Sequence, residues 1–230
     1  DVDRPRGNFF GTRRLVGLLE RTATAVEAQA PGARMNVGEL SARSGGNIMG
    51  HRSHENGRDV DLGFYMVDDA GVPVETRRFL NVRRGGRARN AAPSSPDAPN
   101  GVAGLQFDPV RNWMMIEALI TDPEVVVQHA FVHRDVRRLL VQQGRRMGAS
   151  DDLIERVERV VISPGVRHPH RNHFHVRIYC GPDDMPGCRD RGPFWPWLGE
   201  GHPFHGLVVP LPGVDVEAQR AISATRRTGH

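Results

Sequence analysis

Six of the chain's 11 histidines fall in two short segments, and both segments are rich in metal-ligating residue types. The first is Gly50-His51-Arg52-Ser53-His54-Glu55-Asn56-Gly57-Arg58-Asp59-Val60-Asp61. The second is His168-Pro169-His170-Arg171-Asn172-His173-Phe174-His175-Val176-Arg177. Imidazole and carboxylate donors without thiolate suit Zn²⁺. Three protein ligands leave a fourth position for water, which is the pattern of catalytic rather than structural sites. Such an ion lowers the pKa of water toward ~7 and polarises a carbonyl, so the chemistry in view is hydrolysis. The order is HxxxxxxD followed far downstream by HxH. It is neither HExxH nor HxxEH, because Glu55 follows His54.

Strand alternation can bring these residues together. In a strand over 58–67, Asp59, Asp61 and Gly63 share one face, while Val60, Leu62 and Phe64 share the other. In a strand over 174–180, His173, His175 and Arg177 oppose Phe174, Val176 and Ile178. If the two strands are neighbours, Asp61 and His175 converge, and His54 folds over from its Gly-flanked loop as a third ligand. Gly57 and Gly63 leave that turn and the metal unobstructed.

The remaining pattern alternates helices and strands. Residues 12–29 carry Leu15, Leu18, Leu19, Ala23 and Val26 at helical spacing, and Pro31-Gly32 ends the run. Residues 34–40 read as β-like and 41–57 as a Gly- and Ser-rich loop. Residues 82–101, rich in Gly, Arg, Asn, Pro and Ser, read as a mobile surface loop. A helix is predicted over 108–120, with Asp108 as N-cap and Pro109 at its first position. A strand is predicted over 125–132, and helices over 134–147 and 150–161, the second capped by Ser150 or Asp151. The fold class expected is α+β: a small central antiparallel sheet flanked by helices, with a zinc site on one sheet face. Residues 1–192 would form that domain, and 193–230 an irregular Pro-, Trp- and Gly-rich tail packed on it.

Composition narrows the chemistry. All 31 basic residues among the 230 are Arg. Without Lys, no P-loop, kinase, Schiff-base or Ser-Lys site can be built. A net charge of +4 favours polyanionic partners. Nucleic acid is not expected, because acids are interspersed among the Arg and no reading motif is present. No apolar run approaches the ~20 residues of a membrane span. No signal peptide is visible, which fits a mature or trimmed form opening at Asp1. Cys180 and Cys188 flank a turn of Gly, Pro and Asp, so a disulfide is expected in place of a metal pair. Such a bridge is worth roughly 2–3 kcal/mol and belongs to an oxidising compartment, periplasmic or secreted.

At the histidine segments the chain resembles the penicillin-insensitive murein endopeptidases, within a wider group that includes lysostaphin-type and D-Ala-D-Ala peptidases. The resemblance runs from Phe10-Gly11-Thr12 through Val37-Gly38-Glu39-Leu40-Ser41 to the core at 50–61. It continues at Phe107-Asp108, Arg111-Asn112-Trp113 and His173-Phe174-His175-Val176-Arg177, and covers most of residues 8–190. It implies zinc ligands His54, Asp61 and His175, with His51 close to the metal and sometimes an added ligand. It implies further active-site histidines at His173 and His170, a downstream Cys pair, and the peptidoglycan cross-link as substrate. Where the carboxypeptidase branch has a Glu base three residues before its last ligand, this chain has Asn172. Proton transfer then falls to histidine: His173 takes or relays the proton, or hydrogen-bonds the oxyanion, and His170 or His51 assists.

Arg52, Arg58 and Arg177 lie beside the ligands. Each either grips a substrate carboxylate or pairs with Asp59 or another acid. Trp113 reads as core. Trp195 and Trp197 read as tail packing, with a binding groove as the alternative. The leading expectation is a zinc D,D-endopeptidase cleaving between D-Ala and diaminopimelate. The alternatives are L,D-endopeptidase or carboxypeptidase specificity, or a non-catalytic wall-binding module.

Overall fold

The computed structural model describes residues 7–48, 53–89, 104–165, 169–184, 188 and 190–199. The chain divides into two compact units, Asp1–Cys188 and Arg189–His230. In the second unit the rings of Trp195 and Trp197 stack at 5.4 Å, and the Leu198 amide donates to the Trp195 carbonyl. His202 and His205, a His-x-x-His pair in the same tail, lie outside the described residues.

The first unit opens with helix α1 (Arg13–Gln29). Thr12 caps it by accepting the Leu15 amide, and Leu15, Leu18, Leu19, Thr22 and Val26 are buried along one stripe. Strand β1 (Asp59–Gly63) follows the long loop. Short strands come next: β2 (Met66–Val67), β3 (Pro73–Val74), β4 (Asn81–Val82), β5 (Ala88–Arg89) and β6 (Gln106–Phe107). Helix α2 (Pro109–Ile120) is capped by Asp108, which accepts the Val110 and Arg111 amides. Strand β7 (Val127–Phe131), helices α3 (Arg134–Arg146) and α4 (Asp151–Val160), β8 (Val161–Ile162) and β9 (His173–Ile178) complete the unit. Of the two expected caps, Ser150 and Asp151, it is Ser150 that accepts the Leu153 amide.

The sheet that carries the histidine segments has the order β1-β9-β7-β8. It is not wholly antiparallel, as the sequence pattern implied. β1–β9 and β9–β7 are antiparallel, but β8 pairs parallel to β7, Ala130 facing Val161 and Phe131 facing Ile162. The α3–α4 pair supplies the crossover that a parallel neighbour needs. One sheet face is apolar: Val60, Leu62, Phe174, Val176 and Ile178 are fully buried. Trp113 is core, as expected, at 1% exposure. It packs so tightly on α3 that a Cβ at Gly144 would sit 2.4 Å from its ring.

Two other expectations are corrected. The strand predicted over 58–67 breaks at Phe64-Tyr65. The buried Asn112 amide pairs with both backbone groups of Tyr65, accepting its N–H at 3.1 Å and donating to its carbonyl at 2.8 Å. With its polar groups satisfied there, the chain leaves β1 and starts a second sheet, β3-β2-β6. The segment 82–101 is not patternless throughout: β4 and β5 form a hairpin whose turn places Gly85 and Gly86 at φ 90° and 93°. Residues 90–103 lie outside the described residues. The β-like 34–40 segment is an irregular edge on β1. Gly38 donates to the Asp61 carbonyl, Asp61 to that of Glu39, and Gly63 to that of Asn36, around one bridge, Val37–Leu62.

Candidate metal centre

The β1–β9 register sets Asp59 opposite Arg177, Asp61 opposite His175 and Gly63 opposite His173, all on the face away from the apolar core. His54 comes from the preceding loop and is fully buried. It holds φ 66°, a left-handed conformation that a non-glycine residue adopts at a cost. Its ring is oriented by one bond: Nδ1 donates to the Leu40 carbonyl at 2.7 Å, which leaves the Nε2 lone pair facing inward. Gly57, at φ 75°, closes the turn. A Cβ there would sit 2.9 Å from the Thr12 nitrogen.

Three acceptor atoms converge. His54 Nε2 lies 3.2 Å from His175 Nδ1 and 3.4 Å from Asp61 Oδ1, and the last two are 3.0 Å apart. A tetrahedral zinc with bonds of about 2.0–2.1 Å has ligand–ligand edges of about 3.4 Å. The N, N, O donor set and its spacing therefore fit a divalent zinc-like cation, and His54, Asp61 and His175 are the residues able to hold it. Proton and cation compete for this site. Burial alone would lower the His175 pKa, but hydrogen bonds with Asp59 and Asp61 push it up to about 9, so a cation binds by displacing the proton that Nδ1 shares with Asp61. Burial would raise the Asp61 carboxyl, but its bonds with His175 and His54 hold it well below the ordinary carboxylate range.

Asp59 holds a place in this cluster that the sequence pattern undervalued. Its Oδ1 lies 3.0 Å from His175 Nε2, on the far side of the ring from the convergent Nδ1. In the neutral ring, with Nε2–H donating to Asp59, Nδ1 carries the lone pair, as a carboxylate–histidine–metal arrangement requires. Asp59 also accepts Arg177 Nε at 2.7 Å and Nη2 at 3.2 Å, and the His54 amide at 3.3 Å. Burial opposes its ionisation, but His175 and Arg177 together hold its carboxyl well below the usual range. Arg177 thus makes the pairing that the sequence left as its alternative. Arg58 is buried. His51 and Arg52 lie outside the described residues.

His173 sits beside this cluster, its Nε2 3.5 Å from Asp61 Oδ1. Its Nδ1 donates to Asn172 Oδ1 at 2.8 Å, so Asn172, in the place of the absent Glu, fixes the ring's tautomer. Burial, opposed by Asp61 and reinforced by His170 and His175, lowers the His173 pKa to about 4 and keeps the ring neutral near pH 7. Phe79 stacks on it at 5.3 Å. His170 lies edge-on to His173 at 5.0 Å and, at φ 43°, is also left-handed. Asp59 had a legible signal, its position two residues from Asp61 on one strand face. Phe79 had none. Cys180 and Cys188, with Cα atoms 5.8 Å apart, form the expected disulfide.

Residues 2–201 match the sequence profile described as penicillin-insensitive murein endopeptidase. The chain is 27% identical over 209 residues to the protein of that name from Pectobacterium atrosepticum, an alignment covering 87% of this chain and 61% of the relative. It is 25% identical over 217 residues to the one from Haemophilus influenzae, covering 92% and 66%. The chain therefore spans less than two thirds of the length of either relative. Because the profile runs from before α1 through the His54 loop, β1 and β9, the chain belongs to the penicillin-insensitive murein endopeptidase family.

Proposed function

We propose that this protein is a zinc-dependent peptidoglycan endopeptidase that hydrolyses D,D cross-links between D-Ala and diaminopimelate, in the periplasm or outside the cell. The observation that carries the reading is the convergence of His54 Nε2, Asp61 Oδ1 and His175 Nδ1 at tetrahedral spacing in a member of this family. The disulfide supports the compartment. Among the described residues, no helix is long and apolar enough to cross a membrane.

Zinc bound there would supply Lewis acidity, bringing the pKa of water toward ~7 and polarising the scissile carbonyl. His54, Asp61 and His175 would hold it, and Asp59 keeps the His175 ring turned toward it through Nε2–H. His173 is the base. Its Nδ1–H is tied to Asn172, so Nε2 is the atom that takes a proton on the substrate side. His170, edge-on to His173, would help pass that proton to the leaving amine. His51 is kept as an added ligand or assistant, and Arg52, Arg58 and Arg177 as flanking cations, of which Arg177 acts through Asp59.

Digestion of purified sacculi, with mass spectrometry of the released muropeptides and metal analysis of the protein, tests the reading. His175→Ala is expected to lose zinc and activity together, and His173→Ala to keep zinc and lose rate. Full activity in His175→Ala would sink the proposal. Release of L,D-cleaved or C-terminally trimmed products alone would move the bond specificity to the alternatives. Bound zinc without any released product would leave a wall-binding module.

A further inference from the structure

A cleft of about 510 Å³ opens at the end of β1. One wall is the 34–37 edge segment, the other is 74–77, and Gly63, Phe64 and Tyr65 form its floor. Gly63 is two residues beyond Asp61 on the same strand face, about 7 Å along it, and is the register partner of His173. The Phe79 ring, stacked on His173, and the Asn36 side chain cover Gly63 on that face, so a substrate chain leaving the metal centre reaches the cleft by passing over them. The volume is in the ~300–1,000 Å³ range of small-ligand sites.

The lining charges are uneven. Arg34 stands on one wall and Arg77 on the other, both exposed, against the single acid Glu75. Among the described residues, none of the three has an ion pair or side-chain hydrogen bond. Arg177, by contrast, is held by Asp59. The walls are also joined: Asn36 Nδ2 donates to the Thr76 carbonyl at 2.8 Å, which fixes the spacing between the segments that carry the two guanidiniums.

We infer that this cleft is a subsite for a free carboxylate of the peptide substrate, gripped by Arg34 and Arg77 from opposite walls. This assignment rests on the peptidase reading above and adds a preference to it: acidic stem peptides over the same peptides with their carboxylates amidated. A guanidinium donates two parallel N–H bonds to a carboxylate, and a carboxamide can accept only part of that set while offering a repelling N–H₂.

The test is calorimetric titration of the zinc-loaded protein with L-Ala-γ-D-Glu-diaminopimelate and with that peptide amidated at its free carboxylates. The wild type is expected to bind the acid form about tenfold more tightly, the scale of one charge-assisted contact. In Arg34→Ala/Arg77→Ala the preference should fall below about twofold, with the melting temperature unchanged. Arg83→Ala/Arg84→Ala removes the same charge from the exposed β4–β5 turn and should keep the preference. Equal binding of the two peptides by the wild type, a preference retained in the cleft variant, or the same loss in the turn variant would each overturn the assignment. Sacculus digestion run alongside separates the two readings. A preference without digestion leaves the subsite and removes the peptidase. Digestion without preference does the reverse.

Discussion

Asp59→Asn tests whether the second carboxylate on β1 sets the metal-binding nitrogen of His175. The substitution keeps the shape and changes only what the group can accept. The carboxylate accepts four donors: His175 Nε2 and Arg177 Nε on Oδ1, and Arg177 Nη2 and the His54 amide on Oδ2. An Asn oxygen can serve only one of these pairs, and its –NH₂ then points at the other two donors. If the oxygen faces His175, the His54 amide and Arg177 Nη2 lose their acceptor. If it faces His54, His175 Nε2–H loses its own, and the ring is free to adopt the tautomer that blocks Nδ1. Each buried donor left unpaired costs about 1–3 kcal/mol. Arg177 is partly exposed and recovers much of its loss from water, so a total of about 2–3 kcal/mol is expected in urea unfolding of metal-free protein.

The effect on metal binding is separate. Loss of an outer carboxylate typically costs 10–100-fold in affinity, or about 1.4–2.7 kcal/mol. Chelator competition with zinc reads this directly, and the stabilisation that zinc adds in unfolding experiments should shrink by the same amount. Arg177→Ala is the companion variant. It leaves the His175–Asp59 bond in place, so affinity should fall by less than about threefold. An Asp59→Asn protein that is destabilised but binds zinc within twofold of wild type would refute the argument, leaving Asp59 a structural anchor for Arg177.

Three further outcomes follow from other parts of the structure. Asn172→Ala frees the His173 ring and should lower kcat about tenfold or more with zinc content unchanged. Asn172→Asp, which keeps the acceptor, should restore most of the rate, and ¹⁵N shifts of the ring report whether Nδ1 stays protonated. At the α2–β7 connection Asp122 accepts both Nε and Nη2 of Arg21 and the amides of Glu124 and Val125. Burial opposes this, yet the bonds lower its pKa, so the stability it adds is present above its unfolded pKa of about 3.9 and is lost as pH falls through the lower folded value. Asp122→Asn should therefore cost about 1–2 kcal/mol at pH 7 and flatten the acid limb of a stability–pH profile below about pH 4. Gly144→Ala gains up to about 1 kcal/mol of helix propensity but drives a methyl into the buried Trp113 ring; overpacking of about 1–3 kcal/mol should win, read as a lower unfolding midpoint.

The parts of the fold that were legible in the sequence are those in which one local rule decides. Asp108-Pro109 opens α2 because the side chain caps two amides and Pro needs no donor at the first position. The alternation in 59–63 and 173–178 gave the ligand face because both strands have a fully apolar opposite face. What the sequence hid depends on partners distant in the chain. The break after β1 is made by Asn112, 47 residues away. The parallel β8 depends on how α3 and α4 return to the sheet. Asn172 reads as a missing Glu in sequence, and only its bond to His173 makes it a ring anchor. The left-handed backbone of His54 and His170 is invisible because no residue type announces it.

The apolar face of the sheet is also what fixes the chemistry of the other face. Asp59 and Asp61 differ by one step of the strand period, and they reach opposite nitrogens of one His175 ring, Nε2 and Nδ1. That division of labour exists only in the register that pairs Asp61 with His175. A slip of one residue would turn Val60 and Leu62 to the ligand face and bring both carboxylates into the core. Each of those apolar side chains, with Phe174 and Val176 opposite them, is fully buried and worth about 1.5–3 kcal/mol in that position. The penalty for misregister is therefore several times the worth of any single bond within the ligand cluster. The cluster is strained at His54 and crowded with like-charged acids, and it can be so because the core behind it holds the register.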